Sequence, residues 1–264
     1  MEHYYNIAFI GAGNLAWHLA PELENFGHKV SLVNSRTKKS ARALIDRLYN
    51  ATYKKNLDFS KTEVDAIIIA VKDSDIHDVV TEIIVPDRCS IFHTSGTQPM
   101  NILENAAAEY FGVLYPLQTF TKGLKVNFKD TFFFLEANGD PALSILQHLI
   151  KGISRNIYRT NSQQRSILHL SAVIASNFSN HMLVIAKSLM DGHNMDYRLL
   201  ENVVSSTVRK AFEMGPENGQ TGPAVREDTD TINKHLKLLK DDREVQKIYA
   251  RISEHIIKTH RKSR

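Results

Sequence analysis

The chain has 264 residues, of which 42% are hydrophobic and 23% are charged, and both fractions are ordinary for a globular protein. These values exclude a fibrous or an intrinsically disordered chain, and the length allows one large domain or two ordinary ones. The formal net charge is only +4. Basic residues gather near the C-terminus without the interleaved aromatic side chains of a nucleic-acid patch, so no nucleic-acid partner is expected.

Cysteine content and apolar runs bear on the compartment. The chain has one cysteine, Cys89, so a disulfide within it is impossible and no oxidising compartment is indicated. No apolar run approaches the roughly 18 residues that a membrane span needs. The N-terminus lacks the basic segment and apolar core of a signal peptide. We therefore expect a cytoplasmic protein without a membrane partner.

Short apolar runs alternate with helical stretches from residue 6 to about 138. The run at 65–71 is apolar on both faces, which is typical of a strand buried in a parallel sheet. Strands that alternate with helical connections predict βαβ units in a doubly wound sheet. The expected strands are residues 7–10, 30–33, 65–71, 90–93, 112–115 and 131–135, with a helix at 15–26.

The second half of the chain carries helical patterns only. Helices are expected at 165–190, 197–214, 229–239 and 242–260, with a Gly/Pro-rich loop at 215–223. The fold class is therefore α/β, a doubly wound parallel Rossmann sheet followed by an all-α C-terminal domain. The expected domains are residues 1–160 for the nucleotide and 161–264 for substrate and dimerisation.

A glycine-rich turn directly follows the first expected strand and opens the first helix. Residues 11–16 read Gly-Ala-Gly-Asn-Leu-Ala and fit G-x-G-x-x-A. Gly11 permits the sharp turn, Gly13 lets the backbone approach a pyrophosphate, and Ala16 lets helix and strand pack closely. Asn14 and Leu15 begin the helix, whose free N–H groups attract the anion. The alternative is a tight turn without a ligand.

The end of the second strand indicates which dinucleotide binds. Residues 33–39 read Val-Asn-Ser-Arg-Thr-Lys-Lys, without the carboxylate that usually holds the ribose of NAD. Asn34, Ser35 and Arg36 instead offer donors, and a guanidinium pairs well with a phosphate. The turn therefore predicts NADP as cofactor, and the alternative is a solvated basic loop.

Polar residues also follow three later strands, where ligands of such sheets bind. Val71 and Lys72 are expected beside the nicotinamide ribose, Ser95 near the ring, and Gln118 at the next strand end. Each of them alone is equally an ordinary polar loop residue. Their common position at the strand ends favours a shared site. No metal site is expected.

The helix expected at 165–190 carries a polar stripe without Lys, Arg, Asp or Glu between Arg165 and Lys187. At 3.6 residues per turn, His169, Ser176 and Asn180 share this stripe, and Asn177 lies at its edge. Burial against a nicotinamide cleft or a partner subunit explains such a stripe. The alternative is a structural histidine with satisfied hydrogen bonds.

The same helix has a broad apolar face, which predicts a homodimer through the helical domain. The alternative is a monomer in which the last two helices cover this face. The residues of the face are Leu168, Ile174, Phe178, Met182 and Ile185.

These segments together resemble a family of NADP oxidoreductases with an N-terminal Rossmann domain and a helical C-terminal domain of unassigned function. Its relatives are pyrroline-carboxylate reductase, the β-hydroxyacid dehydrogenases and deazaflavin-dependent NADP reductases. One departure is that this chain lacks the lysine that β-hydroxyacid dehydrogenases place on the long helix. The resemblance runs over residues 11–16, 35–37, 95–96, 116–120, 169, 175–178 and 221–228.

The pattern and the resemblance together predict hydride transfer between NADP and a small carbonyl, imine or cofactor-like acceptor. His169 is the candidate proton donor, and Gln118, Ser95 and Asn177 are candidates to orient the substrate. A second hypothesis is a sensor that binds NADP without turnover. A third is nucleic-acid binding through the basic tail, with an affinity that falls steeply with salt.

Overall fold

The computed structural model describes residues 4–262, and the chain divides into two compact units, one ending at Ala175 and one beginning at Ser176. The domain boundary expected after residue 160 stays a prediction. Among the described residues, no helix is long and apolar enough to cross a membrane.

The first unit contains an eight-stranded sheet in the order β3-β2-β1-β4-β5-β6-β7-β8. All neighbouring strands are parallel except β6 and β7, which pair antiparallel. The parallel Rossmann arrangement confirms the expected fold class. The strands are β1 (Asn6–Ile10), β2 (Lys29–Asn34), β3 (Thr52–Lys54), β4 (Ala66–Ile69), β5 (Ser90–His93), β6 (Tyr110–Leu117), β7 (Phe132–Ala137) and β8 (Ile157–Arg159).

Helices of the first unit are α1 (Asn14–Asn25), α2 (Lys38–Ile45), α3 (Ile76–Glu82), α4 (Asp140–Ile150) and α5 (Ser162–Ala172). Alternate residues of β1 enter different apolar cores, with Ile7 and Phe9 in one and Ala8 and Ile10 in the other. Both faces of the sheet are therefore buried, as the double-sided apolar run at 65–71 indicated.

The long helix expected at 165–190 is interrupted. A π-helical turn, Val173–Phe178, separates α5 from α6 (Ser179–Asp191). A π-helix closes i→i+5 hydrogen bonds, so a pattern counted at 3.6 residues per turn does not continue through it. The expectation that His169, Ser176 and Asn180 share one straight stripe is therefore wrong.

The second unit is all-helical over residues 176–262, which confirms the predicted helical half. Its helices are α6, a 3-10 turn at Tyr197–Leu200, α7 (Glu201–Met214), α8 (Pro216–Gly219), α9 (Thr229–Leu238) and α10 (Arg243–Lys262). The short α8 lies inside the segment expected to be a loop.

Candidate functional site

A cavity of about 650 Å³ opens at the carboxyl ends of the central strands, and every residue that lines it belongs to the first unit. This is the edge at which ligands of doubly wound sheets bind. The lining residues are Gly11, Ala12, Gly13, Asn14, Leu15, Ser35, Arg36, Thr37, Ser40, Ala70, Val71, Lys72, Asp73, Asp75, Thr94, Ser95, Gly96, Tyr115, Lys122 and His169.

The glycine-rich turn has the backbone geometry that its sequence predicts. Gly11 has φ +107° and donates its N–H to the carbonyl of Asn34 at 2.8 Å. A Cβ at Gly11 would lie 2.2 Å from the oxygen of Ala70, so no other residue fits. A Cβ at Gly13 would meet only that oxygen, at 3.8 Å, so the space before α1 is open to a ligand.

Ala16 is completely buried and belongs to the core beneath the turn. Its small side chain lets α1 pack on the sheet, as expected, and it does not line the cavity. Asn34 does not line it either. Its amide donates to the carbonyl of Lys54 at 2.9 Å, which ties β2 to the neighbouring β3.

The basic turn after β2 contributes Ser35, Arg36 and Thr37 to the cavity. The Thr37 hydroxyl accepts from the N–H of Ser40 at 3.2 Å and caps α2, so this turn leads into another helix N-terminus. The side chain of Arg36 is 79% exposed and lies 3.6 Å from the carboxylate of Asp75. Such an exposed pair is weak, so the guanidinium is available to an anionic ligand.

Ser95 lies at the other end of the cavity and is buried. Its hydroxyl oxygen accepts from the N–H groups of Thr97 at 3.1 Å and Gln98 at 2.9 Å. These bonds fix the loop after β5. The Ser95 oxygen also lies 3.5 Å from the hydroxyl of Thr97, which itself donates to Asp73, so the Ser95 proton points to Thr97 until a ligand competes for it.

Tyr115 and His169 form a pair in the cavity wall. The phenol oxygen lies 3.1 Å from Nδ1 of His169. Burial and then the charge of Asp73 raise the pKa of Tyr115, so the phenol stays protonated at neutral pH. A Cβ on Gly96 would lie 2.5 Å from the same Nδ1, so only glycine at this position leaves room for the imidazole.

Arg165 holds α5 against this wall, one helical turn before His169. Its side chain is 0% exposed, and it forms an ion pair with Glu136 of β7. Its Nε donates to the carbonyl of Ser95 at 3.1 Å, and Nη2 donates to the carbonyl of Gln98. The guanidinium therefore joins the helix, the sheet and the loop after β5.

A buried histidine lies behind the same loop. Nδ1 of His93 accepts from the N–H of Ser95 at 3.2 Å. Burial first, and then the charge of Arg165, lower the pKa of His93 to about 3. His93 is therefore neutral at physiological pH and supports the loop rather than exchanging protons.

The structure gathers eight of the ten expected cofactor residues, together with Ser95 and His169, around one cavity. Gln118 is exposed outside the lining, and its own Oε1 accepts from the N–H of Thr119 at 2.8 Å. Asn177 is exposed in the π-helical turn and belongs to the second unit.

The site also depends on three residues to which the sequence pattern assigns no role: Tyr115, Lys122 and Arg165. The one available signal was for Arg165, a lone charged residue at the start of an uncharged helical stretch.

Family comparisons agree with the two halves of the chain. Residues 6–90 match the family described as NADP oxidoreductase, coenzyme F420-dependent. Residues 131–256 match a domain of unknown function. Comparison with curated proteins gives no match.

Solved structures resemble the chain over nearly its whole length. A Bacteroides fragilis protein provisionally named an NADP oxidoreductase is 35% identical, with a TM-score of 0.90 over 97% of this chain and 98% of its own. A reductive aminase from Aspergillus terreus, in complex with NADPH and ethyl levulinate, has 12% identity and a TM-score of 0.69 over 99% and 95%. An imine reductase from Pseudomonas sp. has 12% identity and a TM-score of 0.65 over 98% and 93%. The last two share the fold.

Proposed function

We infer that this protein, which belongs to the family of two-domain NADP oxidoreductases, transfers hydride between NADP and a small carbonyl, imine or cofactor-like acceptor. NADP is its cofactor, as the acid-free turn after β2 predicted. One observation carries the proposal. The glycine-rich turn, the basic turn and the Tyr115–His169 pair line the same cavity.

The residues present fit NADP. The open space before Gly13 and the N-terminus of α1 suit a pyrophosphate, which Gly11, Asn14 and Leu15 would also border. At the basic turn, Ser35 and Arg36 would hold the 2′-phosphate, with Val71 and Lys72 in the wall nearby. When bound, the cofactor supplies or accepts hydride.

The proton transfer and the orientation of the acceptor would depend on the polar wall of the cavity, formed by Tyr115, His169 and Ser95. Reduction of a carbonyl builds negative charge on oxygen and requires a proton. The Tyr115 phenol is a protonated donor, and His169 beside it can replace the proton from solvent. The Ser95 hydroxyl can orient the acceptor. Roles for Gln118 and Asn177 in orienting the substrate stay predictions.

An imine acceptor fits the charge of this wall. Protonation of an imine gives a cation that already attracts hydride, so no strong acid is needed. The Asp73 carboxylate lines the cavity and, after burial, raises the pKa of Tyr115, while the charge of Arg165 lowers it. The carboxylate would favour a cationic acceptor beside it.

An acceptor panel tests the proposal. Oxidation of NADPH would be followed with small aldehydes, ketones, cyclic imines and a deazaflavin. We expect turnover with at least one class, and a His169→Asn variant that keeps cofactor affinity but lowers kcat. Tight NADPH binding with no acceptor reduced across the panel would favour the sensor hypothesis instead.

We also propose that the second unit forms a homodimer, while a cytoplasmic location stays a prediction. Large apolar side chains are exposed on its helices, among them Phe178 at 57%, Val208 at 53% and Phe212 at 89%. Pairing of two copies would bury such side chains, which otherwise remain in contact with water. Light scattering should give twice the monomer mass, and Phe212→Glu should lower it. The monomer mass at every concentration would rule the dimer out.

A further inference from the structure

We propose that Lys122 binds the pyrophosphate of NADP, as a residue supplied by the loop between β6 and β7. This loop lies against the start of α1. Asn14 Nδ2 donates to the carbonyl of Phe120 at 2.8 Å, and His18 Nε2 lies 3.0 Å from the carbonyl of Thr121. These contacts join residues more than 100 positions apart in sequence.

The ammonium group of Lys122 reaches into the glycine-rich turn itself. Nζ donates to the carbonyl of Ala12 at 3.1 Å, and Lys122 lines the cavity. An ammonium has three N–H donors, so this bond leaves others for a ligand beside the turn. Hydrogen bonds from a full positive charge to a phosphate are stronger than those from neutral amides.

Among the residues that the structure describes, no carboxylate neutralises the charge of Lys122. Its Nζ lies 4.8 Å from the ring centroid of Trp17, and the guanidinium of Arg47 lies 4.3 Å from the same ring. Within residues 4–262, neither cation forms an ion pair with a carboxylate. Each cation contacts the electron-rich face of the ring rather than a counter-ion, so the full charge of Lys122 remains available to an anion beside the turn.

The position of Lys122 separates its role from that of Arg36. Arg36 follows β2 and is paired with Asp75, whereas Lys122 contacts the turn between β1 and α1. The first residue therefore acts on the 2′-phosphate and the second on the diphosphate that every form of the dinucleotide carries.

Calorimetry on the full chain tests the assignment with NADP⁺, NAD⁺ and ADP-ribose, which share the pyrophosphate. Lys122→Met keeps an alkyl stem on Trp17 and removes the charge. We expect it to weaken all three ligands by the same factor of about tenfold or more, as removal of a hydrogen bond to a charged group does. Arg36→Ala should weaken NADP⁺ alone.

Two control variants distinguish a loss of the Lys122 charge from a loss of folding. Arg47→Met removes the other cation on the same ring, does not touch the cavity, and should leave all three affinities unchanged. Lys122→Arg keeps the charge and should restore most of the binding. The chain has a single tryptophan, so ADP-ribose should change Trp17 fluorescence in the wild type and much less in Lys122→Met.

Two results would overturn the proposal. One is that Lys122→Met binds all three ligands within twofold of the wild type. The other is that it weakens NADP⁺ but not NAD⁺ or ADP-ribose, which would move Lys122 to the 2′-phosphate. Because only binding is measured, failure of the hydride-transfer proposal leaves this test unaffected.

Discussion

Removing the guanidinium of Arg165 should strongly destabilise the first unit. The change Arg165→Met leaves the carboxylate of Glu136, whose side chain is 12% exposed, without its ion-pair partner and, among the described residues, with only the Ser162 hydroxyl bonded to it. It also removes the charged donors to the carbonyls of Ser95 and Gln98. Breaking a buried ion pair from one side typically costs about 3–5 kcal/mol, so we expect a loss of about 4 kcal/mol.

Urea unfolding followed by Trp17 fluorescence measures this loss, because the single tryptophan lies in the first unit. Arg36→Met, which breaks an exposed pair in the same unit, should cost less than about 1 kcal/mol. Adding Glu136→Leu to Arg165→Met removes the stranded carboxylate and should recover about half of the loss. A loss below 1 kcal/mol for Arg165→Met, or no recovery in the double variant, would refute the reasoning.

Three further predictions concern the cavity. Arg36→Ala should weaken NADP⁺ about tenfold while leaving NAD⁺ unchanged, since only one carries the 2′-phosphate; equal losses in calorimetry would contradict this. Gly13→Val should abolish cofactor binding with an unchanged circular dichroism spectrum, because the side chain fills the space before α1; normal binding would show that the pyrophosphate does not bind at this turn. Tyr115→Phe should lower the rate of carbonyl reduction about a hundredfold or more. As the pH rises, the effect should be lost with a midpoint above the ordinary tyrosine pKa of 10.0, since burial raises the pKa of the donor; a midpoint below it would exclude the role.

The elements predicted correctly are those whose pattern is local. Ile7–Ile10 and the run before Val71 are apolar on both faces because two cores cover them, and this leaves a clear trace in the sequence. The short strands β3 and β8 have three residues each, too few for a period to appear. The antiparallel pairing of β6 with β7 depends on the path of a long connection, which periodicity does not report.

The site divides in the same way. The glycine-rich turn binds through its own backbone, so its local sequence is enough to predict it. Tyr115, Lys122 and Arg165 act through partners 54, 110 and 70 positions away, and no local pattern encodes such contacts. Asn34 does not line the cavity, because its amide binds β3, a strand too short for the sequence pattern to predict.

The loop after β5 has a consequence for the thermodynamics of binding. Three side chains bond to its backbone: His93 accepts from the N–H of Ser95, the Ser95 hydroxyl accepts from the N–H of Gln98, and Arg165 donates to the carbonyl of Ser95. A wall tied at so many points loses little conformational entropy when a ligand arrives, so more of the contact energy remains as affinity. The ordering cost of binding falls instead on exposed side chains such as Arg36, whose freedom the protein leaves intact until the cofactor is present.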